Sequence, residues 1–181
     1  MLSRRSVLLS TVAGAAVLGV GAWRIAAGNA QEGEGEDAGP EVFEVTHTDE
    51  EWRALLTPAQ FAVLRREATE RPFSGELMGE QSLLNYEHRE GIFHCAGCDL
   101  AVYSSEHKYE SGTGWPSFWQ PISDEVIGTK TDYLLGYGRT EVHCGRCGGH
   151  FGHIFNDGPP PTGKRHCLNG LALVFRPAVA A

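Results

Sequence analysis

Basic side chains are scarce in this sequence: 15 Lys and Arg stand against 23 Asp and Glu, giving a net charge of −8 and a pI of about 5.4. A protein that binds nucleic acid regardless of sequence draws its affinity from a basic face that neutralises phosphates, so that class is excluded. Long helical patterns between the strand-like runs are also missing, which excludes a doubly wound parallel sheet. No internal repeat exists beyond two cysteine pairs. Hydrophobic residues make up 41% and charged residues 21%, a globular composition rather than that of a collagen-like repeat or an acidic disordered polymer. At 181 residues the chain suits one ordinary domain with a tail.

What is present begins with a segment unlike the rest. Ser3-Arg4-Arg5-Ser6-Val7-Leu8-Leu9 opens an apolar stretch that runs without a charge from Ser6 to Trp23. A basic start followed by an apolar run is the pattern of an export signal, and the paired arginines resemble the twin-arginine signal that carries folded proteins to the bacterial periplasm. Small residues at Gly28 and Ala30 suit cleavage after Ala30. The alternative is an uncleaved anchor in the inner membrane, since an uncharged run of this length sits at the threshold for spanning. Gln31 to Pro40 is a Gly/Glu run expected to be disordered. The expected organisation is a signal over 1–30, an acidic linker over 31–44 and one folded domain over 45–181.

Two helix starts open that domain. Thr48-Asp49-Glu50-Glu51 and Thr57-Pro58-Ala59-Gln60 each fit a capping box, the second with Pro at the first helical position. Phe61, Leu64 and Ala68 then share a face, predicting a helical hairpin from about Asp49 to Thr69 that serves as scaffold. From Gly75 the pattern changes to short runs, Ile92–Cys95, Leu100–Tyr103, Arg139–His143 and Leu171–Phe175, punctuated by Gly, Asp, Pro and Ser. These predict a mainly β, α+β fold of antiparallel sheets behind a short N-terminal helical region.

Five cysteines carry the chemistry. Cys95-Ala96-Gly97-Cys98 and Cys144-Gly145-Arg146-Cys147 are two C-x-x-C pairs. Four thiolates in two such turns suit a closed, tetrahedral structural zinc site, with the knuckles drawn from distant strands. Two disulfides, a thioredoxin-like redox pair and a partner-binding zinc ribbon are the alternatives. Zinc is preferred because the x-x spacing suits a metal knuckle and because export of folded protein lets the metal load first. Cys167 is left over, as an inert buried thiol, an intermolecular link or a nucleophile. Lys164, Arg165 and His166 precede it and favour a thiolate, while His150, His153 and Asp157 lie upstream as a supply of acid and base.

Three stretches read together. Ser111-Gly112-Thr113-Gly114-Trp115-Pro116-Ser117-Phe118, then His150 to Pro159 (H-F-G-H-I-F-N-D-G-P), then Pro161 to Gly170 (P-T-G-K-R-H-C-L-N-G), resemble the signature of the B-type methionine-R-sulfoxide reductases. The resemblance runs from about Trp52 to Phe175 and includes the order and spacing of both cysteine pairs. It implies thiol-dependent reduction of methionine (R)-S-oxide, free or in oxidised proteins, to methionine. By position it makes Cys167 the nucleophile, passing through a sulfenic acid. His150 and His153 would supply protons and orient the sulfoxide oxygen with Asn169. Trp115 would face the substrate methyl group, Asp157 would hold the network, and Phe118 and Arg165 complete the implied substrate-binding set. Cys95, Cys98, Cys144 and Cys147 would hold one structural zinc.

The residue types suit the chemistry, because a sulfoxide oxygen leaves only when protonated and an acid must stand beside the attacking thiolate. An indole wall suits recognition of a methyl on a chiral sulfur. The chain departs from the family at Thr113, where many members carry a second, resolving cysteine, and at His166, where Tyr is usual. Gly170 and Phe151 replace the commoner Ser and Leu. With no spare thiol, recycling is expected to need an external reductant, thioredoxin-like or fed through the membrane. His166 is expected to assist or retune the nucleophile. A monomer is expected, and the rival function is a zinc-stabilised binding module without turnover.

Overall fold

The structure, a computed structural model, describes residues 41–133 and 136–179. The expected export signal or anchor, and the linker up to Pro40, lie outside the described residues. Both expected helices form where the capping signals place them. In α1 (Asp49–Leu55) the Thr48 hydroxyl accepts from the Glu51 N–H, while the Glu51 carboxylate accepts from the Thr48 N–H. Thr57 and Gln60 repeat the exchange at the start of α2 (Pro58–Arg66), so each helix start has two of its open donors satisfied.

α2 stops earlier than the sequence pattern suggests. Glu67 takes a left-handed conformation with φ 56°, and the Ala68 N–H turns back to the Ala62 carbonyl, so Ala68 lies beyond the helix. Trp52 from α1 and Ala59, Phe61, Val63 and Leu64 from α2 are buried.

All strand pairs among the described residues are antiparallel. A short hairpin, β1 (Glu76–Leu77) and β2 (Glu80–Gln81), precedes the two larger sheets. The three-stranded sheet has β3 (Gly91–Cys95) at its centre, flanked by β4 (Ala101–Ser104) and β11 (Leu173–Pro177). The six-stranded sheet runs β5 (Lys108–Tyr109), β6 (Ser117–Phe118), β10 (Arg165–Leu168), β9 (His150–Phe155), β8 (Arg139–Cys144), β7 (Ile127–Asp132). Phe93, Val102, Tyr103, Phe118, Val142, Phe151 and Leu168 are buried in the core, and α2 packs against β9.

Two boundaries differ from expectation for identifiable reasons. The run expected as a strand from Leu171 begins as a 3-10 turn over Gly170–Ala172. The backbone N–H groups of Gly170 and Leu171 are taken by the Glu70 carboxylate, not by a neighbouring strand. At the other end, residues 41–44 of the expected linker lie against the domain. Phe43 meets the His143 ring edge-on at 5.7 Å, Glu41 lies 3.0 Å from His143 Nε2, and the Val45 N–H donates to the Arg146 carbonyl.

Candidate active site and metal centre

The two C-x-x-C pairs are built alike. Cys95 ends β3 and Cys144 ends β8, and in each case the chain turns tightly so that an N–H four residues on, of Asp99 or Gly148, returns to the first cysteine's carbonyl. Both turning residues have positive φ, 62° and 66°. The four sulfurs lie within 4.8 Å of one another. Sγ separations across the two turns are 3.7 Å for Cys95–Cys147 and 3.5 Å for Cys98–Cys144.

For four thiolates about 2.3 Å from a central ion, tetrahedral edges come to roughly 3.8 Å, so the donor set fits a four-coordinate metal. A disulfide needs about 2.05 Å, and all five cysteines are free, so the disulfide alternative does not describe this fold. The cluster joins β3 of one sheet to β8 of the other, which explains the long separation between the pairs in sequence.

The second site lies on the six-stranded sheet. Directly opposed residues share a sheet face, and one row of them crosses all six strands: Tyr109, Ser117, Cys167, His153, Glu141 and Lys130. Cys167 and His153 open into a cleft of about 140 Å³ whose wall also includes Trp115, Asn169, Arg139 and Thr69. Burial pushes the Cys167 thiol up, while Thr113, the charge of Arg165 and Ser117 pull it down. Thr113 Oγ1 stands 3.8 Å from the sulfur.

A bulge decides what β9 presents. Val142 faces Gly152 and His143 faces His150, so one step on β8 spans two on β9 and Phe151 is the extra residue. Without it, residues three apart would point to opposite faces. With it, the His150 and His153 rings come together with centroids 5.5 Å apart. Gly152 is required there, because a Cβ would sit 2.1 Å from the Cys167 carbonyl oxygen.

His153 Nε2 lies 2.8 Å from Asp132 Oδ2, and Arg139 pairs with the same oxygen. Burial holds the His153 imidazole below its ordinary value, with Arg139 and His150 acting in the same direction and Asp132 opposing. His150 is buried and outside the cleft wall, with Nδ1 2.9 Å from Glu141 Oε1. On the same face as His153 but off the cleft wall, His150 stands behind it, held by Glu141.

The remaining expected residues divide. Trp115 lines the cleft, its indole N–H donating to the Glu70 carbonyl at 3.1 Å. Asn169 also lines it but is tied into the backbone: its Oδ1 accepts from the Glu70 N–H and its Nδ2 donates to the Phe151 carbonyl, both at 3.0 Å. Arg165 shares its strand face with Cys167 and is clamped by Asp157 through bonds of 2.8 and 2.9 Å. Asp157 itself is outside the cleft wall, held low by that guanidinium.

Phe118, expected in the substrate-binding set, does not reach the cleft. It alternates with Ser117 on β6, so its ring falls on the core side, 4.7 Å from Tyr103 and 5.0 Å from Phe93, fully buried. His166 alternates with Cys167 in the same way and turns to the Tyr103 hydroxyl, 3.0 Å from Nδ1. Burial lowers its imidazole to about 4, so at neutral pH it brings no positive charge to Cys167.

Glu70, Asp132, Arg139 and Glu141 were not among the expected site residues. Glu70 is 2% exposed and gathers the site's frame. Its carboxylate accepts from the Gly170 and Leu171 N–H groups at 2.8 Å, while its own backbone meets Asn169 and Trp115. A lone Glu after a helix carries no local motif, and only the capping of a turn a hundred residues away gives it a role.

Comparison with known proteins agrees with this geometry. The SelR domain family matches residues 56–177. The chain is 50% identical over 132 residues to the peptide methionine sulfoxide reductase MsrB of Thioalkalivibrio sulfidiphilus, covering 72% of this chain and 90% of that protein. It is 46% identical over 134 residues to the MsrB of Leptospira interrogans, covering 74% and 97%. The MsrB of Methanosarcina barkeri is 48% identical over 132 residues, covering 73% and 88%. With two thirds of its length inside the SelR domain and these relatives matched almost end to end, the chain belongs to the SelR family of B-type methionine sulfoxide reductases.

Proposed function

We propose that the protein is a peptide-methionine (R)-S-oxide reductase that works through Cys167. The observation that carries this reading is the direct opposition of Cys167 and His153 in a cleft walled by Trp115. The Cys167 thiolate attacks the sulfoxide sulfur while an acid, for which His153 is placed, protonates the departing oxygen. The S–O bond breaks and the oxygen leaves as water, joining Cys167 to methionine as a sulfonium. Water then adds to the Cys167 sulfur as the S–S bond breaks with its electron pair going to methionine, so that methionine leaves and Cys167 becomes a sulfenic acid. Trp115 offers an apolar wall to the substrate methyl, and its orientation is fixed by the bond to Glu70.

Recycling falls to an external thiol. It condenses with the sulfenic acid to a mixed disulfide and water, and a second thiol then displaces Cys167 as the free thiol. The other four cysteines are grouped at the metal centre, and the position beside Cys167 is Thr113. Zinc is the metal we assign to the four-cysteine centre, on the strength of its all-thiolate tetrahedral fit. It would be held by Cys95, Cys98, Cys144 and Cys147 and would supply folding stability. The N-terminal arginine pair and apolar run support export to the periplasm, where the enzyme would act as a monomer on oxidised proteins and draw on a thioredoxin-like or membrane-fed thiol.

The test is consumption of the separate R and S epimers of a blocked methionine sulfoxide by the purified chain with excess dithiothreitol, beside Cys167→Ser. R-only turnover that is lost in the variant is the expected result. No turnover by folded, metal-loaded protein would overturn it in favour of a binding module.

A further inference from the structure

Asp132 ends β7 and Arg139 begins β8, directly opposite each other in the antiparallel register. Arg139 and Glu141 lie two apart on β8 and share a face, and Glu141 is the residue opposed to His153. The base of the β7–β8 hairpin is thereby brought alongside the imidazole. Asp132 Oδ2 is 2.8 Å from His153 Nε2, and the same oxygen is paired with Arg139, whose side chain forms part of the cleft wall. Both members are largely shielded, with side-chain exposures of 11% and 16%, so their interaction with His153 is weakly screened.

We propose that Asp132 and Arg139 act together as a positioning pair for His153, Asp132 accepting the Nε2 proton to fix ring orientation and tautomer, and Arg139 offsetting part of the carboxylate's charge. The inference rests on the reading in which His153 exchanges a proton at the sulfoxide. In a neutral ring with its proton on Nε2, Nδ1 is the bare nitrogen. A carboxylate alone would favour a standing imidazolium, and a guanidinium on the same oxygen limits that preference, leaving the ring able both to take and to give a proton. The charged and titratable groups around the ring are Asp132 from β7, Arg139 and Glu141 from β8, His150 from its own strand and Cys167 from β10.

The two members pull the imidazole in opposite directions, which separates positioning from a general structural role. Asp132→Asn removes the influence that favours the cation, so the His153 titration moves down. Arg139→Gln removes one that opposes it, so the titration moves up. The measurement is the histidine titration of the metal-loaded full chain by nuclear magnetic resonance with labelled imidazole carbons, beside kcat and KM for the R epimer.

Opposite displacements, with kcat in Asp132→Asn reduced at least about tenfold and KM within about twofold, are expected. Arg139→Lys, which keeps the cation, is expected to hold the titration near that of the parent. Displacement in the same direction, or in neither variant, overturns the proposal. If Asp132→Asn does not fold, Arg139→Gln decides alone: an upward move supports the pair and no move overturns it. Because the titration is read without turnover, its failure strikes only this inference, whereas an inactive parent chain strikes the proposed function.

Discussion

Cys167 on β10 and His153 on β9 face each other in one antiparallel register, on the same side of the sheet. Opposed Cβ atoms in such pairs are about 4.5–5.5 Å apart, close enough for the two side chains to serve one substrate atom. The sheet sets this pairing, so the two side chains are held by strands and not by a loop. Around them, Thr113 stands 3.8 Å from the Cys167 sulfur, and Glu70 braces the indole and the turn after Cys167.

Replacing Cys167 with Ser is expected to lower turnover of the R epimer by on the order of a thousandfold or more, because a hydroxyl is a far weaker nucleophile at neutral pH. Metal content per chain stays that of the parent, since Cys167 is outside the four-sulfur cluster. Epimer-resolved chromatography and elemental analysis check both halves.

Thr113→Cys places a thiol where the hydroxyl now stands 3.8 Å from the Cys167 sulfur. After one equivalent of sulfoxide the parent loses one titratable thiol, as the sulfenic acid. The variant loses two, as that acid condenses with the new cysteine. Thiol counting and intact mass distinguish a loss of two hydrogens from a gain of one oxygen.

Glu70 makes stability fall as pH rises. Burial pushes its carboxyl up to about 7 from an ordinary 4.5, despite the two backbone N–H groups that favour the anion. A raised folded-state value means the folded protein holds the proton more tightly. The contribution is complete below about pH 4.5 and is lost through about pH 7, a span worth roughly 3 kcal/mol. Thermal unfolding between pH 4.5 and 8 should therefore show a downward slope in the parent that is absent, by difference, in Glu70→Gln.

His166 behaves in the opposite sense. Its imidazole is lowered to about 4 by burial, so the neutral ring stabilises the fold above pH 6.5 and that support is lost as pH falls toward 4. His166→Tyr should remove this acid sensitivity from the unfolding curve. The pH–rate profile should stay where it was, because the ring faces Tyr103 and not the cleft.

Removing the metal should loosen both sheets together, since Cys95 ends a strand of one and Cys144 a strand of the other. A strong chelator, or Cys98→Ser, is expected to lower the unfolding midpoint by roughly 10 °C or more. Calorimetry with elemental analysis checks this, and a midpoint indifferent to metal content would remove the centre's structural role.

Much of this was written locally. The capping boxes at Thr48 and Thr57 set both helix starts, because a side chain and the backbone three residues on decide a helix start without distant help. The two C-x-x-C turns were legible for the same reason, and Cys167, Trp115 and His153, grouped by the family resemblance, do line one cleft. Phe118 was misplaced: strand alternation puts either Ser117 or Phe118 toward the cleft, and only the pairing of Ser117 with Cys167 settles which.

By itself, then, the sequence determined the two helix starts and the two C-x-x-C turns, since each is specified within a few residues, while Cys167 was singled out only by resemblance to a family. Tertiary structure alone decided which side chains meet. The extra residue Phe151 brings His150 behind His153, strand register sets Cys167 against His153, and the hairpin base delivers Asp132 and Arg139 to the same ring. Register and bulges are properties of strand pairs, and a buried Glu70 acquires its partners only when a chain segment a hundred residues away folds onto it.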